Sequence, residues 1–281
     1  MTFGNFKKIS KLINVPSGII LVTGATGSGK STTVYSILQK LNRTETNLIT
    51  VEDPIEMNIA GINQVQVNSE IGLSFANVLR SVLRQDPDII MIGEIRDNET
   101  ARIAVRASIT GHLVLSTLHT NNSLTTIERL LDMDVERYLL ASALSGIVSQ
   151  KLARQLCPKC KKARATTPYE KEMFARFLNM NVDQVYDAVG CPECSGGYKG
   201  RIAIQEVLLI SPDIRDAISA KVSKSELRNL VYGSDVITLL QDGLYKVLAG
   251  FTSIEEIIKL TEADDEVNAE TKFKNIQKQG A

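Results

Sequence analysis

Apolar residues recur at helical spacing at the start of the chain, at Phe3, Phe6, Ile9, Leu12 and Ile13, until Pro16-Ser-Gly18 interrupts them ahead of the apolar run Ile19 to Val22. This pattern predicts a short helix, a turn and a buried strand. Val34, Ile37, Leu38 and Leu41 fall at i, i+3, i+4 and i+7, which predicts an amphipathic helix over 31–41. A second strand is predicted over 47–51, and a helix over 75–83 with Phe75, Val78, Leu79 and Val82 on one face. A four-residue apolar strand over 89–92 ends at Gly93, and a helix over about 99–108 and a strand over 113–118 follow. Strands separated by helices need crossover connections, so a mainly parallel sheet covered on both faces is expected.

After about Leu152 the alternation fades into a polar, charged insert bracketed by two cysteine pairs. Helical spacing returns over 211–260, with Leu227, Leu230, Val231, Ile254, Ile257 and Ile258 as apolar faces. The last twenty residues are polar, with Phe273 their single aromatic, and are expected to be disordered. A length of 281 residues suits about two domains, and 43% apolar residues suffice for a sizeable core. Thirty-two basic residues balance thirty-two acidic ones, so no global field draws the chain to nucleic acid or anionic lipid. The basic excess is local: residues 151–201 hold ten Lys and Arg against five Asp and Glu. The run Ile19 to Val22 is shorter than the ~7 to 15 residues of a signal-peptide core, and no run nears the ~20 of a membrane span. The chain is therefore expected to be cytosolic and soluble.

Gly24 to Ser31, GATGSGKS, fits G-x-x-x-x-G-K-[ST] between a predicted strand and a predicted helix, the setting a phosphate loop requires. Gly24, Gly27 and Gly29 let the backbone turn its N–H groups inward, and the helix N-terminus adds partial positive charge. Ala25, Thr26 and Ser28 complete the loop and Thr32 follows it. Lys30 is placed to reach the β and γ phosphates, and the Ser31 hydroxyl to ligate Mg2+. The competing reading is a glycine-rich turn with an accidental Lys-Ser, which the flanking elements weigh against.

Phosphoryl transfer also needs carboxylates near the magnesium and the attacking water. Glu94 closes the strand Ile89-Ile-Met-Ile-Gly-Glu94, with Gly93 where many such enzymes carry Asp. Thr50 to Glu56, TVEDPIE, adds Glu52, Asp53 and Glu56 around a turn fixed by Pro54. From chemistry alone Glu52 and Glu56 both stay open as the water-orienting base, and each acid is also open to being a solvated loop charge. His112 and His119 flank the strand 113–118, where an imidazole can sense the γ phosphate, move a proton, or simply be a hydrogen-bonded structural residue. Cys157-Pro-Lys-Cys160 and Cys191-Pro-Glu-Cys194, separated by 30 residues, can give four thiolates to one Zn2+. Such a site is closed to water and hence structural; free thiols or a redox pair are the alternatives.

Taken together, GATGSGKSTT, TVEDPIE, LRQDPDIIMIGEIRD, TGHLVLSTLHT, the two C-P-x-C pairs and GYKGR closely resemble the C-terminal half of the secretion ATPases of the type II secretion and type IV pilus superfamily. The likeness runs from about Ile19 to Thr261. It implies a RecA-like P-loop α/β core over 1–152, a four-cysteine zinc-binding module over 153–201, a helical C-terminal subdomain over 202–261 and a disordered tail over 262–281. By resemblance Lys30 and Ser31 belong to Walker A, Glu56 is the catalytic carboxylate of the Asp box, Glu94 is the Walker B acid, and His112 and His119 fall on the His box. The implied cofactors are ATP, Mg2+ and Zn2+. The four cysteines match the secretion and extension branch, since retraction motors generally lack them.

The resemblance further implies a homo-hexamer in the full-length form, working in the cytoplasm at the inner membrane through platform proteins, without nucleic acid and without membrane insertion. In the family an N-terminal domain contributes arginines to the nucleotide site. Only about eighteen residues precede the first predicted strand, so that domain is expected to be missing here. Arg80, Arg84, Arg96 and Arg106 are the in-chain candidates for the task. The favoured function is an ATP-hydrolysing motor subunit for pseudopilus assembly and type II export, with pilus extension as the alternative. A nucleotide-binding interaction module that no longer hydrolyses, and a nucleic-acid translocase, are readings of other classes. Neutral charge and seven Phe and seven Tyr without a base-stacking cluster weigh against the last.

Overall fold

The computed structural model describes residues 2–261, and the tail 262–281 lies outside the described residues. The predicted alternation is present: α1 Phe3–Leu12, β1 Gly18–Thr23, α2 Lys30–Leu41, β2 Leu48–Glu52, β3 Asn63–Gln66, α3 Phe75–Val82, β4 Ile89–Ile92, α4 Asn98–Ile109 and β5 Leu113–Leu118. It continues through α5 Ser123–Asp132, α6 Arg137–Ala143, β6 Leu144–Leu156, β7 Lys162–Ala165, α7 Pro168–Leu178, β8 Gln184–Asp187 and β9 Tyr198–Leu209. The helices α8 Pro212–Ser219, α9 Lys224–Tyr232, α10 Leu239–Leu248 and α11 Ile254–Thr261 close the described chain.

One sheet has the order β3-β2-β4-β5-β1-β6-β9. β1 pairs in parallel with β5 and β6, and β2 with β3 and β4, as crossover helices require. β9 runs the other way: the bonds Ile210 N to Ser145 O and Cys157 N to Gly197 O meet the two strands in opposite order.

The described chain divides into two compact units, residues 3–150 with 206–236, and residues 151–205 with 237–261. β6 and β9 each contribute residues to both. In the first unit successive β1 residues point to opposite faces. Ile19 and Leu21 join the interior formed with α3, α4, α5, α6, α8 and α9, while Ile20 and Val22 join the one formed with α1 and α2. The sheet is thus covered on both faces. The second unit has its own core, where Met173 and Phe174 of α7 meet Val185 of β8, Leu240 and Leu244 of α10, and Ile257 of α11.

Three features depart from the sequence expectation. Phe3 and Phe6 lie outside, at 72% and 53% exposure, and the inner face of α1 carries Asn5 and Lys8 beside Ile9 and Leu12. Lys8 is tolerated there because its ammonium donates to Asp235 O at 2.6 Å and pairs with the Asp235 carboxylate at 3.1 Å. The stretch 202–261 begins as strand β9, and its helices are shared, α8 and α9 with the first unit and α10 and α11 with the second. Helical spacing marks an apolar face without naming the core that receives it. Leu230, expected on such a face, is half-exposed, whereas Leu227 and Val231 are buried.

Candidate active site

β1 is buried along its whole length and delivers the chain to the phosphate loop at one end of the sheet. Gly24, Gly27 and Gly29 all take positive φ, and Gly29 in the left-handed region is the N-cap of α2. A Cβ on Gly24 would stand 2.3 Å from Gln150 O, so the loop depends on close backbone approach there. Lys30 is buried, and its ammonium donates to Gly24 O at 2.8 Å and Ala25 O at 3.2 Å. Burial lowers its pKa and the Glu94 charge opposes that shift. Ser31 and Thr32 are exposed in the first turn of α2, with Ala25, Thr26 and Gly27 exposed ahead of them. The hydroxyl of Ser31 is thus open to a nucleotide-bound Mg2+, and the loop N–H groups with Lys30 suit a polyphosphate.

Gln150, near the middle of β6, braces the loop from behind. Its side-chain amide donates to Ser28 O at 2.7 Å and accepts from Thr33 Oγ1 at 2.8 Å. Beside it Thr23 Oγ1 and Ser149 Oγ are hydrogen-bonded at 3.0 Å. Sequence reasoning missed Gln150, whose sole signal is an amide two residues past the apolar pair Ile147-Val148.

Glu94 follows β4, its side chain 16% exposed. It pairs with Arg96 and stands 3.4 Å from His119 Nε2, while Arg96 also reaches Asp53 at 3.7 Å. Burial would raise the Glu94 pKa, but the hydrogen bond and charge of Arg96, helped by His119, hold it below its ordinary value. Three strand ends, those of β2, β4 and β5, therefore bring Asp53, Glu94, Arg96 and His119 together. The four expected arginines separate here: Arg96 is in the cluster, Arg80 pairs with Glu99, and Arg84 and Arg106 are exposed.

The two acids of TVEDPIE that chemistry left open have different surroundings. Glu52 is buried and accepts from Tyr35 OH, Thr50 Oγ1 and Gln64 Nε2, so both of its oxygens are engaged. Glu56 is exposed, and its backbone N–H donates to Tyr35 OH at 3.1 Å. The histidines separate as well. β5 pairs in register with β1, so His119 stands at the phosphate-loop end and His112 at the other, roughly 20 Å along the strand. His112 Nδ1 is 2.9 Å from Ala107 O, and its carbonyl accepts from Gly18 N–H at 3.2 Å. His112 thus stands apart from the cluster of Glu94, Arg96 and His119, because flanking one strand puts two residues at opposite ends of the sheet.

In the second unit the sulfur atoms of Cys157, Cys160, Cys191 and Cys194 all lie within 4.8 Å of one another. Cys157 and Cys191 are 4.0 Å apart, Cys160 and Cys194 3.7 Å, and Cys191 and Cys194 3.6 Å. Bonds of ~2.3 Å to a tetrahedral zinc put sulfurs ~3.8 Å apart, so the four thiols fit that ion and leave it no open position. Gly197 makes the close turn behind them, where a Cβ would meet Ala188 at 2.6 Å.

Among the described residues no helix is long and apolar enough to cross a membrane. The chain matches the family of type II/IV secretion system proteins over residues 1–259. It is 48% identical over 270 residues to the putative type II secretion system protein E of Escherichia coli K12, covering 96% of this chain and 54% of that protein. It is 46% identical over 260 residues to the type IV pilus assembly ATPase PilB of Thermus thermophilus, covering 92% of this chain and 29% of that protein. The chain thus spans about half the length, or less, of these relatives. The crystal structure of the pilus retraction motor PilT with bound ADP matches the fold with a TM-score of 0.69 at 31% identity, over 93% of this chain and 66% of that one. The ordered motifs, the mainly parallel sheet and the length of the match agree, and the chain belongs to the type II/IV secretion system protein family.

Proposed function

We propose that this chain is the ATP-hydrolysing part of a motor subunit that powers pseudopilus assembly and export through a type II secretion system, pilus extension being the second reading. The observation that carries the proposal is the glycine-turned phosphate loop with its buried Lys30 at the end of β1, at the same end of the sheet as the cluster of Glu94, Arg96 and His119. Relatives named type II secretion system protein E support the choice of system, and PilB keeps the pilus reading in play.

In this reading the N–H groups of Gly24 to Lys30 hold the phosphates, and the Lys30 ammonium exchanges the Gly24 and Ala25 carbonyls for the β and γ phosphate oxygens. Mg2+, held through Ser31 and the nucleotide, supplies neutralisation of the phosphate charge. Glu94 stays ionised beside Arg96, His119 orients towards the γ phosphate, and the exposed Glu56 orients and deprotonates the attacking water. Residues 3–150 with 206–236 handle the nucleotide, and the unit of 151–205 with 237–261 contains the zinc-braced structural module of 153–201. Arg96 is committed to Glu94 and Asp53, which supports an additional arginine from a neighbouring subunit in a hexamer. That assembly works at the cytoplasmic face of the inner membrane through its platform proteins.

Calorimetric titration with ATP and a phosphate-release assay test the reading. Lys30→Ala is expected to weaken ATP binding ~10- to 100-fold. Glu94→Gln is expected to keep binding and lose ~10²-fold or more in turnover. Unchanged turnover in Glu94→Gln would remove Glu94 from the mechanism. A rate per subunit that does not rise with protein concentration would remove the neighbour's arginine.

A further inference from the structure

Tyr35 sits on the second turn of α2, buried beneath the loop that carries Glu56, and the hydrolysis scheme gives it no task. Its hydroxyl donates to one oxygen of Glu52 and accepts from the Glu56 N–H at 3.1 Å. Burial, reinforced by the Glu52 hydrogen bond and charge, pushes the phenol up to about 12, so it remains a donor throughout the neutral range. The other Glu52 oxygen accepts from Thr50 and, at 3.0 Å, from Gln64 Nε2. Gln64 then reaches the loop twice, donating to Met57 O at 3.1 Å and accepting from Ile59 N–H at 2.7 Å. The backbone is therefore fastened at Glu56, Met57 and Ile59, although the Glu56 side chain itself is exposed.

A buried carboxylate surrounded by three uncharged donors gains little stability over an apolar filler, since taking the charge out of water is unfavourable. What the arrangement does supply is direction: each partner is fixed by a hydrogen bond of defined geometry. Tyr35 is rooted in the helix that begins at Lys30, and Gln64 belongs to β3, which pairs with β2. The loop of Glu56 is thereby referenced to the phosphate loop on one side and to the sheet on the other.

We propose that Tyr35, Glu52 and Gln64 form a positioning bracket that sets where the Glu56 carboxylate stands relative to the phosphates, with Tyr35 as the strut from the phosphate-loop helix. The inference rests on the reading of Glu56 as the water-orienting acid. Displacing a catalytic group by ~1 Å lowers rates ~10²-fold, so the bracket acts on turnover and leaves nucleotide affinity alone.

The test is a double-mutant cycle on the full chain, reading single-turnover phosphate release and ATP affinity for Tyr35→Phe, Glu56→Gln and both together. Tyr35→Phe is expected to slow release ~10- to 100-fold with ATP affinity kept within ~3-fold, and to add no more than ~2-fold once Glu56 is Gln. The same factor in both backgrounds, or a loss of affinity equal to the loss of rate, would overturn the bracket. Intact release in Glu56→Gln alone would remove the acid reading, and the bracket's role with it. Gln64→Ala, which leaves the Tyr35 to Glu52 bond in place, runs the same cycle should Tyr35→Phe fold poorly, with the same outcomes deciding.

Discussion

Glu94 illustrates how one residue's surroundings set its chemistry. Partial burial alone would make its carboxyl harder to ionise, and the adjoining guanidinium of Arg96 more than reverses that. Its depressed pKa keeps the charged form present to a lower pH than an ordinary glutamate allows. If the ionised form is the active one, the acid limb of the turnover profile lies below the usual carboxylate range. Removing the cation leaves burial opposed by His119 alone, so Arg96→Ala should move that limb to higher pH. Turnover measured against pH for both proteins checks the sign, and a limb that does not move would mean that Glu94 does not control it. Gln150 is the counterpart with no charge to titrate. Its amide spans Ser28 O and Thr33 Oγ1, and Gln150→Ala removes both bonds and leaves the Ser28 carbonyl without its amide donor. ATP affinity is expected to fall ~10-fold, read by calorimetry.

Elements whose sequences carry an unbroken period were legible, and those interrupted by buried polar residues were not. β1 and α2 follow from Ile19 to Val22 and from Val34, Ile37, Leu38 and Leu41, because each apolar residue goes to the face its period assigns. β6 and β9 escaped notice for the opposite reason. Ser149, Gln150, Gln205 and Glu206 break their apolar runs yet are buried, stabilised by specific partners such as Asp242 for Gln205 N–H and Ser123 N–H for Glu206. The edge strand β3, Asn-Gln-Val-Gln, shows no apolar alternation because it is half solvated. The site follows the same division: motif residues could be named in advance, but which acid is buried among donors and which histidine is remote depend on register. The insert between the cysteine pairs, read as polar and charged, is held by Arg164, which donates to both Glu170 oxygens at 2.6 and 2.7 Å and to Asp187 at 2.7 Å. Glu170 also completes the capping box of α7 with Thr167. Arg164 holds the Glu170 pKa below its ordinary value, so the stabilisation is complete above the unfolded value near ~4.3 and disappears as pH falls through the folded one. Glu170→Gln should therefore lose roughly 2 kcal/mol at neutral pH, and the gap to the parent should close on acidification. Denaturant titrations at neutral and acid pH decide it, a gap independent of pH counting against the pair.

At the scale of the whole molecule, the interior is formed by separate apolar clusters, two flanking the sheet of the first unit and one in the second. The second unit is the smaller, and it contains the four thiols, with the Cys157 side of the cluster fully buried. A metal that binds only the folded arrangement adds its binding free energy to folding, so the stability of this unit should depend on zinc in a way that of the phosphate loop does not. Elemental analysis of protein purified without chelator is expected to give one zinc per chain. Stripping it should lower the melting temperature of one transition and leave a second unchanged, while ATP affinity stays within ~3-fold. The junction makes this a demanding test, because Gln150, which holds Ser28 and Thr33, is followed directly by Lys151 of the other unit. If β6 loosens back across that peptide when the zinc is removed, the brace on the phosphate loop goes with it. Loss of ATP binding in step with loss of zinc would then show the two units to be energetically continuous through β6, and the separation of metal and nucleotide roles would fail.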